Sequence, residues 1–118
     1  MHLVVAVLKP TQLEAVRQAL AAVHVTRLTI CDAQGYDGPA DSGGVAQEAV
    51  VEIAVNDDFL ARTVDTIAAA MMLGDSDDSE ASSGTAQPAF DRAAGRLFVL
   101  PIHETVQIYR EVRGPEAL

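Results

Sequence analysis

Apolar residues in this chain form short continuous runs and longer stripes at helical spacing, and the two patterns alternate. Residues 3–8 are apolar at every position, three of them are β-branched, and a Lys-Pro pair follows, which favours a short buried strand over a helix. Apolar residues then recur at helical spacing and predict a helix over residues 12–23, with Thr11 and Glu14 as its capping box. The chain is therefore predicted to begin with a strand and a helix.

The next two apolar segments are predicted to be strands, and a second helix follows them. Residues 25–34 are rich in Val, Thr, Ile and Leu and end at a glycine. In residues 47–55 the side chains alternate between two faces, so Glu52 points away from Ile53. An apolar stripe after an Asn-Asp-Asp capping segment predicts a helix that ends near Gly74.

Two short strands complete the predicted fold. Residues 96–101 predict a fourth strand and residues 105–110 a short fifth one. The order βαββαβ is that of the ferredoxin-like α+β sandwich, a four-stranded antiparallel sheet with two helices on one face, here with an additional short C-terminal strand. The apolar content suits one core, and residues 1–118 are predicted to form a single domain.

The first and fourth predicted strands are apolar on both faces, although the two helices cover only one face of such a sheet. Other copies of the chain, packed as a closed symmetric oligomer, are therefore the predicted cover of the second face. The alternative is that the C-terminal tail folds back over this face, which the small number of apolar residues in the tail disfavours.

The charge balance limits the partners of the protein. Eight Lys and Arg residues against seventeen Asp and Glu residues give a formal net charge of −9, so nucleic acids and anionic membranes are repelled. No apolar run reaches the roughly 20 residues of a membrane-spanning helix, and the N-terminus lacks the basic segment of a secretion signal. We expect a cytoplasmic protein with no nucleic-acid partner and no membrane insertion.

No set of residues with catalytic or metal-binding spacing stands out. None of the three histidines pairs in the sequence with Cys31 or with a serine as base and nucleophile, so we expect no enzymatic activity. The acidic run at residues 75–80 lacks the glycine and the bidentate carboxylate of an EF-hand loop, so no metal site is predicted. The composition of residues 74–95 as a whole predicts a mobile acidic loop.

Several stretches, in the same order along the chain, are similar to segments of the PII nitrogen-regulatory signal-transduction proteins. They are Lys9-Pro10 after the first apolar strand, Leu28-Thr29-Ile30 leading to Gly35, Val51-Glu52-Ile53, Gly95-Arg96-Leu97-Phe98-Val99, and the terminal Arg113-Gly114-Pro115-Glu116-Ala117-Leu118. The resemblance covers both ends of the chain, and the combination of motifs is specific.

The resemblance implies a homotrimeric regulator that binds adenine nucleotides, often with 2-oxoglutarate, in clefts between subunits and contacts a target protein through a T-loop. Residues 37–48 correspond to the T-loop, which is shortened here and contains no tyrosine to accept a uridylyl group. Residues 74–95 correspond to the B-loop, enlarged by an acidic insertion. The target, a transporter or an enzyme, is not identified by the sequence.

By the same resemblance, seven residues stand at nucleotide-binding positions of the family. They are Val7, Thr29, Gly35, Glu52, Ala54, Gly95 and Arg96. Gln107 and Tyr109 stand where the family has two arginines on its last strand, so two charges that would neutralise phosphate are absent. We expect ADP, AMP or weakly bound ATP as the ligand, no certain cofactor, and no response to 2-oxoglutarate.

Two other functions are compatible with the same pattern of elements. The first is a small enzyme on a ferredoxin-like scaffold, because this fold hosts many unrelated activities. The second is a trimer similar to the divalent-cation-tolerance proteins, which share the architecture. A panel of adenine nucleotides and divalent metals in a thermal-shift assay separates them, because a ligand that binds only the folded state raises its melting temperature.

Overall fold

The computed structural model describes residues 1–39, 44–81 and 95–118. The helices and strands in these segments are β1 (His2–Leu8), α1 (Leu13–Ala22), β2 (Thr29–Asp37), β3 (Gly44–Val55), α2 (Asp57–Ala81), β4 (Arg96–Pro101), β5 (Val106–Gln107) and β6 (Val112–Arg113). Two short 3-10 turns, Pro10–Gln12 and Gly114–Ala117, precede α1 and follow β6.

The main sheet has four antiparallel strands in the order β2-β3-β1-β4, and β5 and β6 pair as a separate two-stranded ribbon. Strands β1 and β3 lie at the centre, and each helix connects two strands that are not neighbours in the sheet. This is the split βαβ arrangement. The predicted ferredoxin-like α+β sandwich is confirmed.

The core lies between one face of the sheet and the two helices. On β3 the helix-facing residues Val51, Ile53 and Val55 are buried, while Glu52 and Ala54 between them are exposed. The predicted alternation in this strand is therefore confirmed. The other buried side chains of the core are Val4, Ala6 and Leu8 from β1, Val16 and Leu20 from α1, Val25 before β2, and Ile67, Ala70 and Met71 from α2.

The predicted capping box of Thr11 and Glu14 is wrong, because the helical segment begins earlier, in a 3-10 turn at Pro10. Proline suits the first position of a helical turn, since its φ is fixed and no N–H is needed there. Lys9 is the residue before the turn, and its backbone N–H donates a hydrogen bond to Gln12 Oε1 at 3.0 Å. Gln12 thus makes the contact that had been assigned to Glu14.

Both predicted loop boundaries differ from the structure. The pairing of β2 with β3 continues up to Asp37 and Gly44, which are directly opposed. Strand β3 therefore includes the last part of the predicted T-loop at 37–48. The helix α2 passes Gly74 and continues to Ala81, into the predicted B-loop at 74–95. Helix propagation adds one hydrogen bond per residue, and an interior glycine costs only about 1 kcal/mol. The remainder of the two loops, residues 40–43 and 82–94, lies outside the described residues.

The predicted fifth strand at 105–110 is interrupted. Only Val106 and Gln107 are extended, and the chain then reverses and pairs back through β6. Glu111 in the reversal has φ +51°, in the left-handed region, where a strand cannot continue. The reversal leaves Ile108 and Tyr109 almost fully exposed. None of the helices in the described segments combines the length and hydropathy that crossing a bilayer requires.

The face of the sheet away from the helices, here called the open face, carries apolar side chains that neither helix covers. Its residues are Leu3, Val5 and Val7 on β1, Thr29, Cys31, Ala33 and Gly35 on β2, Glu48, Val50, Glu52 and Ala54 on β3, and Arg96, Phe98 and Leu100 on β4. Phe98 and Leu100 keep 46% and 45% of their surface exposed. The described part of the C-terminal tail therefore leaves these two side chains uncovered.

Candidate functional site

Strand register places six of the seven predicted nucleotide-binding positions on the open face, although they come from four different strands. Directly opposed residues of antiparallel strands share a face, as do residues two apart on one strand. The six positions are Val7 on β1, Thr29 and Gly35 on β2, Glu52 and Ala54 on β3, and Arg96 on β4. The seventh, Gly95, immediately precedes β4.

Thr29 and Glu52 form one end of this site. They are directly opposed across β2 and β3, at the separation of about 5 Å typical of cross-strand neighbours, and both are exposed. Ala54 lies two residues further along β3, on the same face. The site thus offers three groups to a planar base. The Thr29 hydroxyl can donate or accept a hydrogen bond, the Glu52 carboxylate can accept one, and Ala54 provides a small apolar surface for the face of the ring.

Gly95, Arg96 and Val7 are brought together at the start of β4. The Gly95 N–H donates a hydrogen bond to Val7 O at 2.7 Å, and the glycine has φ +86°, a conformation that other residues rarely adopt. Arg96 is directly opposed to Val7 on the open face. Its guanidinium lies 5.6 Å from the centre of the Phe98 ring, a cation–π distance. This arrangement presents a cation at the edge of an apolar surface.

Gly35 is adjacent to a carboxylate that the sequence analysis did not select. A Cβ atom on Gly35 would lie inside van der Waals contact distance of the Glu48 carboxylate group. Glu48 keeps only 6% of its surface exposed, and its Oε1 atom is buried without a hydrogen-bond partner. The sequence analysis did not consider Glu48 as a site residue, because it assigned residues 37–48 to a loop, whereas Glu48 lies in β3. Its spacing of four from Glu52 on one strand is the signal that places both on the open face.

Two arginines lie beside β5 in the described segment: Arg113 donates a hydrogen bond to Glu104 Oε1 at 2.6 Å, and Arg110 lies in the reversal between β5 and β6. Gln107 Nε2 donates a hydrogen bond to Ala117 O at 3.3 Å, so the amide is engaged inside the C-terminal segment. Tyr109 is 98% exposed at the reversal that follows β5. The described positions of the site therefore contribute two carboxylates, Glu48 and Glu52, and one guanidinium.

A cavity of about 290 Å³ adjoins the Ala54 end of the site. It lies between the turn at residues 24–27, the end of β3 and the beginning of α2, and Phe59 forms part of its wall. Arg27 Nη1 donates a hydrogen bond to Leu118 O at 3.0 Å at its edge. The cavity is lined by both polar and apolar residues, and Ala54 is the residue it shares with the site.

The remaining candidate residues for chemistry are dispersed. His2 Nδ1 lies 2.9 Å from Asp57 Oδ1, which also accepts a hydrogen bond from the Met1 ammonium at 2.8 Å. The ammonium and, to a smaller extent, His2 lower the pKa of the Asp57 carboxyl below its ordinary value of 3.8. Cys31 is exposed and free. Among the residues whose side chains the structure describes, no three His, Cys, Asp or Glu side chains group as metal ligands.

Comparison with known proteins gives consistent matches. The family model described as nitrogen regulatory protein P-II matches residues 1–112. Nitrogen regulatory protein GlnK1 of Methanosarcina mazei is 28% identical over 128 aligned positions, which cover 100% of this chain and 97% of that protein. Nitrogen regulatory protein P-II of Rhizobium etli is also 28% identical over 128 positions, with 100% of both chains covered.

A solved structure with the same fold is that of Arabidopsis thaliana PII bound to citrate. It matches with a TM-score of 0.66 and 22% identity and covers 98% of this chain and 87% of that chain. At this identity the likeness shows the fold.

Proposed function

Because the chain belongs to the nitrogen regulatory protein P-II family, whose members are signal-transduction regulators, we propose that it is a homotrimeric regulator of a partner protein that binds an adenine nucleotide on its open face. The observation that carries this proposal is the convergence of Val7, Thr29, Glu52 and Arg96 on one uncovered surface. The protein is proposed to act by binding alone and not by catalysis.

The trimer is supported by the apolar character of the open face. Phe98 and Leu100 lie on the outer strand β4 and are nearly half exposed, next to the apolar side chains of β1. An apolar surface of this kind is uncommon on a monomer unless a partner covers it. A closed symmetric assembly covers the same surface in every copy and leaves clefts where subunits meet. The proposed nucleotide site would lie in these clefts.

The nucleotide is expected to bind weakly when it carries several phosphates. Each charge-assisted hydrogen bond to an anion contributes about 1.5–3 kcal/mol, so the absence of two arginines costs on the order of 3–6 kcal/mol. At about 1.4 kcal/mol per tenfold change, ATP affinity falls by a factor of hundreds to tens of thousands. ADP or AMP, for which Arg96 supplies the positive charge, are the proposed ligands, and 2-oxoglutarate is proposed to have no effect.

The output of the regulator is proposed to pass through the connection between β2 and β3, the acidic segment after α2, or both. Their partner is proposed to be a transporter or an enzyme, and not a nucleic acid, because the net charge of −9 repels phosphate backbones. The cytoplasmic location expected from the sequence stays a prediction.

Calorimetric titration with AMP, ADP and ATP, together with light scattering, tests this function. We expect a three-chain particle that binds AMP or ADP, and we expect Arg96→Gln to weaken that binding about tenfold or more. Arg62→Gln is the matched control, because Arg62 on α2 also stacks over a phenylalanine ring, at 5.0 Å from Phe59, but on the opposite side of the sheet.

Two results would contradict the proposal. Titrations in which neither AMP, ADP nor ATP binds the native protein would remove the nucleotide, and equal weakening by Arg96→Gln and Arg62→Gln would place the site elsewhere. The same titration with divalent metals alone tests the alternative of a cation-tolerance trimer.

A further inference from the structure

One oxygen of the Glu48 carboxylate is a buried acceptor without a donor among the described residues. This atom, Oε1, has no hydrogen-bond partner among the described residues, and Glu48 keeps only 6% of its surface exposed. Burial of an unpaired charge is costly, so such groups are normally hydrogen-bonded. A group from outside the described fold is therefore the expected partner of this oxygen.

The neighbours of Glu48 on β2 and β3 carry no side-chain donor for this oxygen, and on the side of β1, where pairing ends at Leu8 and Ala49, Oε1 has no hydrogen-bond partner either. Ala33 is directly opposed to it on β2, and Val50 is the next residue on the same face of β3. Gly35, the diagonal neighbour, has no side chain and leaves the space that the carboxylate occupies. The Glu48 carboxylate therefore lies against the backbone of Gly35, and the side chains beside it on β2 and β3 cannot donate a hydrogen bond to it.

We propose that Glu48 determines the ligand specificity of the site, by accepting a hydrogen bond from a hydroxyl or amino group of the ligand and by repelling phosphate. This inference rests on the proposed nucleotide site. A ligand group that satisfies Oε1 must carry a hydrogen, which ribose hydroxyls and the exocyclic amine of adenine do and an ionised phosphate does not. The class of ligand is therefore an adenine nucleoside or nucleoside monophosphate.

The position of Arg96 agrees with one phosphate and not with three. Arg96 lies on β4, and β1 separates β4 from the Glu48 strand β3. Two strand spacings amount to about 10 Å, so a single phosphate at Arg96 stays clear of the carboxylate. A longer phosphate chain brings further negative charge toward Glu48, in a buried position where charges interact more strongly than in water.

The test is a titration of the full chain with adenosine, AMP and ATP, in the presence of a metal chelator, for the native protein, Glu48→Gln and Glu14→Gln. In the native protein we expect AMP to bind about tenfold or more tighter than ATP. In Glu48→Gln we expect this preference to shrink to about threefold or less, because the amide no longer repels phosphate. Glu14→Gln removes the same charge from the exposed surface of α1 and should behave as the native protein.

Several outcomes overturn the inference, and they differ from failure of the proposed function. If AMP binds but Glu48→Gln leaves the preference over ATP unchanged, or if Glu14→Gln reduces it equally, Glu48 has no specific role. If magnesium restores ATP binding in the native protein but not in Glu48→Gln, the carboxylate is a metal ligand and the inference is wrong. If no adenine compound binds any of the three proteins, the nucleotide site itself is absent and the inference falls with it.

A second measurement separates ligand recognition from a structural role. Without ligand, Glu48→Gln should unfold at a higher urea concentration than the native protein, because it removes an uncompensated buried charge. A structural carboxylate that is paired with a cation of a neighbouring subunit would give the opposite shift. A lower midpoint for Glu48→Gln would therefore contradict the proposal without any ligand being present.

Discussion

At Gly35, the absence of a side chain matters because of its neighbour and not because of its backbone angle. The backbone there is not in the left-handed region, yet a Cβ would collide with the Glu48 carboxylate. At Gly95 the reason is the opposite, since φ is +86° and, among the described residues, the atom nearest to an added Cβ is the Met71 methyl carbon, at an ordinary contact distance of 3.6 Å. Two glycines predicted for the same site are thus required for different physical reasons.

The Gly35 contact can be measured by a double-mutant cycle. We expect Gly35→Ala to destabilise the native protein by about 0.5–1.5 kcal/mol, because the flexible end of the Glu48 side chain must leave its present rotamer to make room for the added Cβ. In a Glu48→Ala background the same change should be neutral or slightly stabilising, because alanine then meets no obstacle and restricts the unfolded chain. Urea unfolding of the four proteins gives the coupling energy. Equal costs in both backgrounds would show that the two residues do not interact.

The contribution of Asp57 to the stability of the fold is expected to depend on pH. Its pKa is lowered, chiefly by the Met1 ammonium, so ionised Asp57 stabilises the fold above its ordinary pKa of 3.8 and this contribution is lost as pH falls through the lowered value. We expect Asp57→Asn to have a slightly lower urea midpoint than the native protein at pH 7. The difference should disappear as pH falls through the lowered pKa of Asp57, because the native carboxyl is then protonated as well. A difference that persists in acid would exclude the ion pair as its cause.

The helices and strands are connected by a small number of polar contacts, and Gln12 is the clearest of them. It is 3% exposed, its Oε1 accepts from the Lys9 N–H, and its Nε2 donates to Met71 O of α2 at 3.2 Å. One side chain therefore joins the end of β1, the start of α1 and the middle of α2. The other glutamine of this region, Gln18, is exposed and lies 3.4 Å from Glu14.

We expect Gln12→Ala to destabilise the protein by about 1–3 kcal/mol, because it leaves a buried backbone donor and a buried carbonyl without partners. Gln18→Ala, the matched substitution on the exposed surface, should change stability by less than about 0.5 kcal/mol. Chemical unfolding at neutral pH compares the two. Similar small effects would mean that water replaces the contacts of Gln12.

At the scale of the whole molecule, the open face is the dominant feature. At the centre of the helix-facing side Val4, Val51 and Ile53 are at most 1% exposed, while Phe98 and Leu100 on the open face are nearly half exposed. On the outer strand β4 the helix-facing Val99 is also 45% exposed. The face that carries the candidate site is therefore also the face that needs a cover. Binding and assembly are expected to depend on each other in this protein.

Phe98→Asp tests the assembly. A charge on the open face is expected to reduce the particle from three chains to a single 12.4 kDa chain, because an unpaired carboxylate cannot be buried between subunits. Met72→Asp is the control, since Met72 is an exposed apolar residue of α2 on the other side of the molecule. Light scattering of both variants gives the mass. A native protein that is monomeric in dilute solution would contradict the trimer directly.

The sequence determined the order of elements and the faces of the sheet and helices, because these depend on local periodicity. The positions of the candidate site were implied by the resemblance to the PII proteins, and the strand register brings six of them to one face. Alternation in residues 47–55 was enough to separate Glu52 from the core, and the helical stripes identified both helices. The ends of the elements were less predictable. Continuation of α2 past Gly74 and the start of the helical turn at Pro10 depend on backbone hydrogen bonding, to which side-chain pattern is a weak guide.

Only the tertiary structure decided the environment of individual groups. The sequence shows a glycine at 35 and a glutamate at 48, thirteen positions apart, and nothing local indicates that one leaves room for the other. Their proximity follows from the pairing register of β2 and β3. Burial, charge compensation and cross-strand contact depend on which strands are neighbours, and that choice is made by the packing of the whole chain.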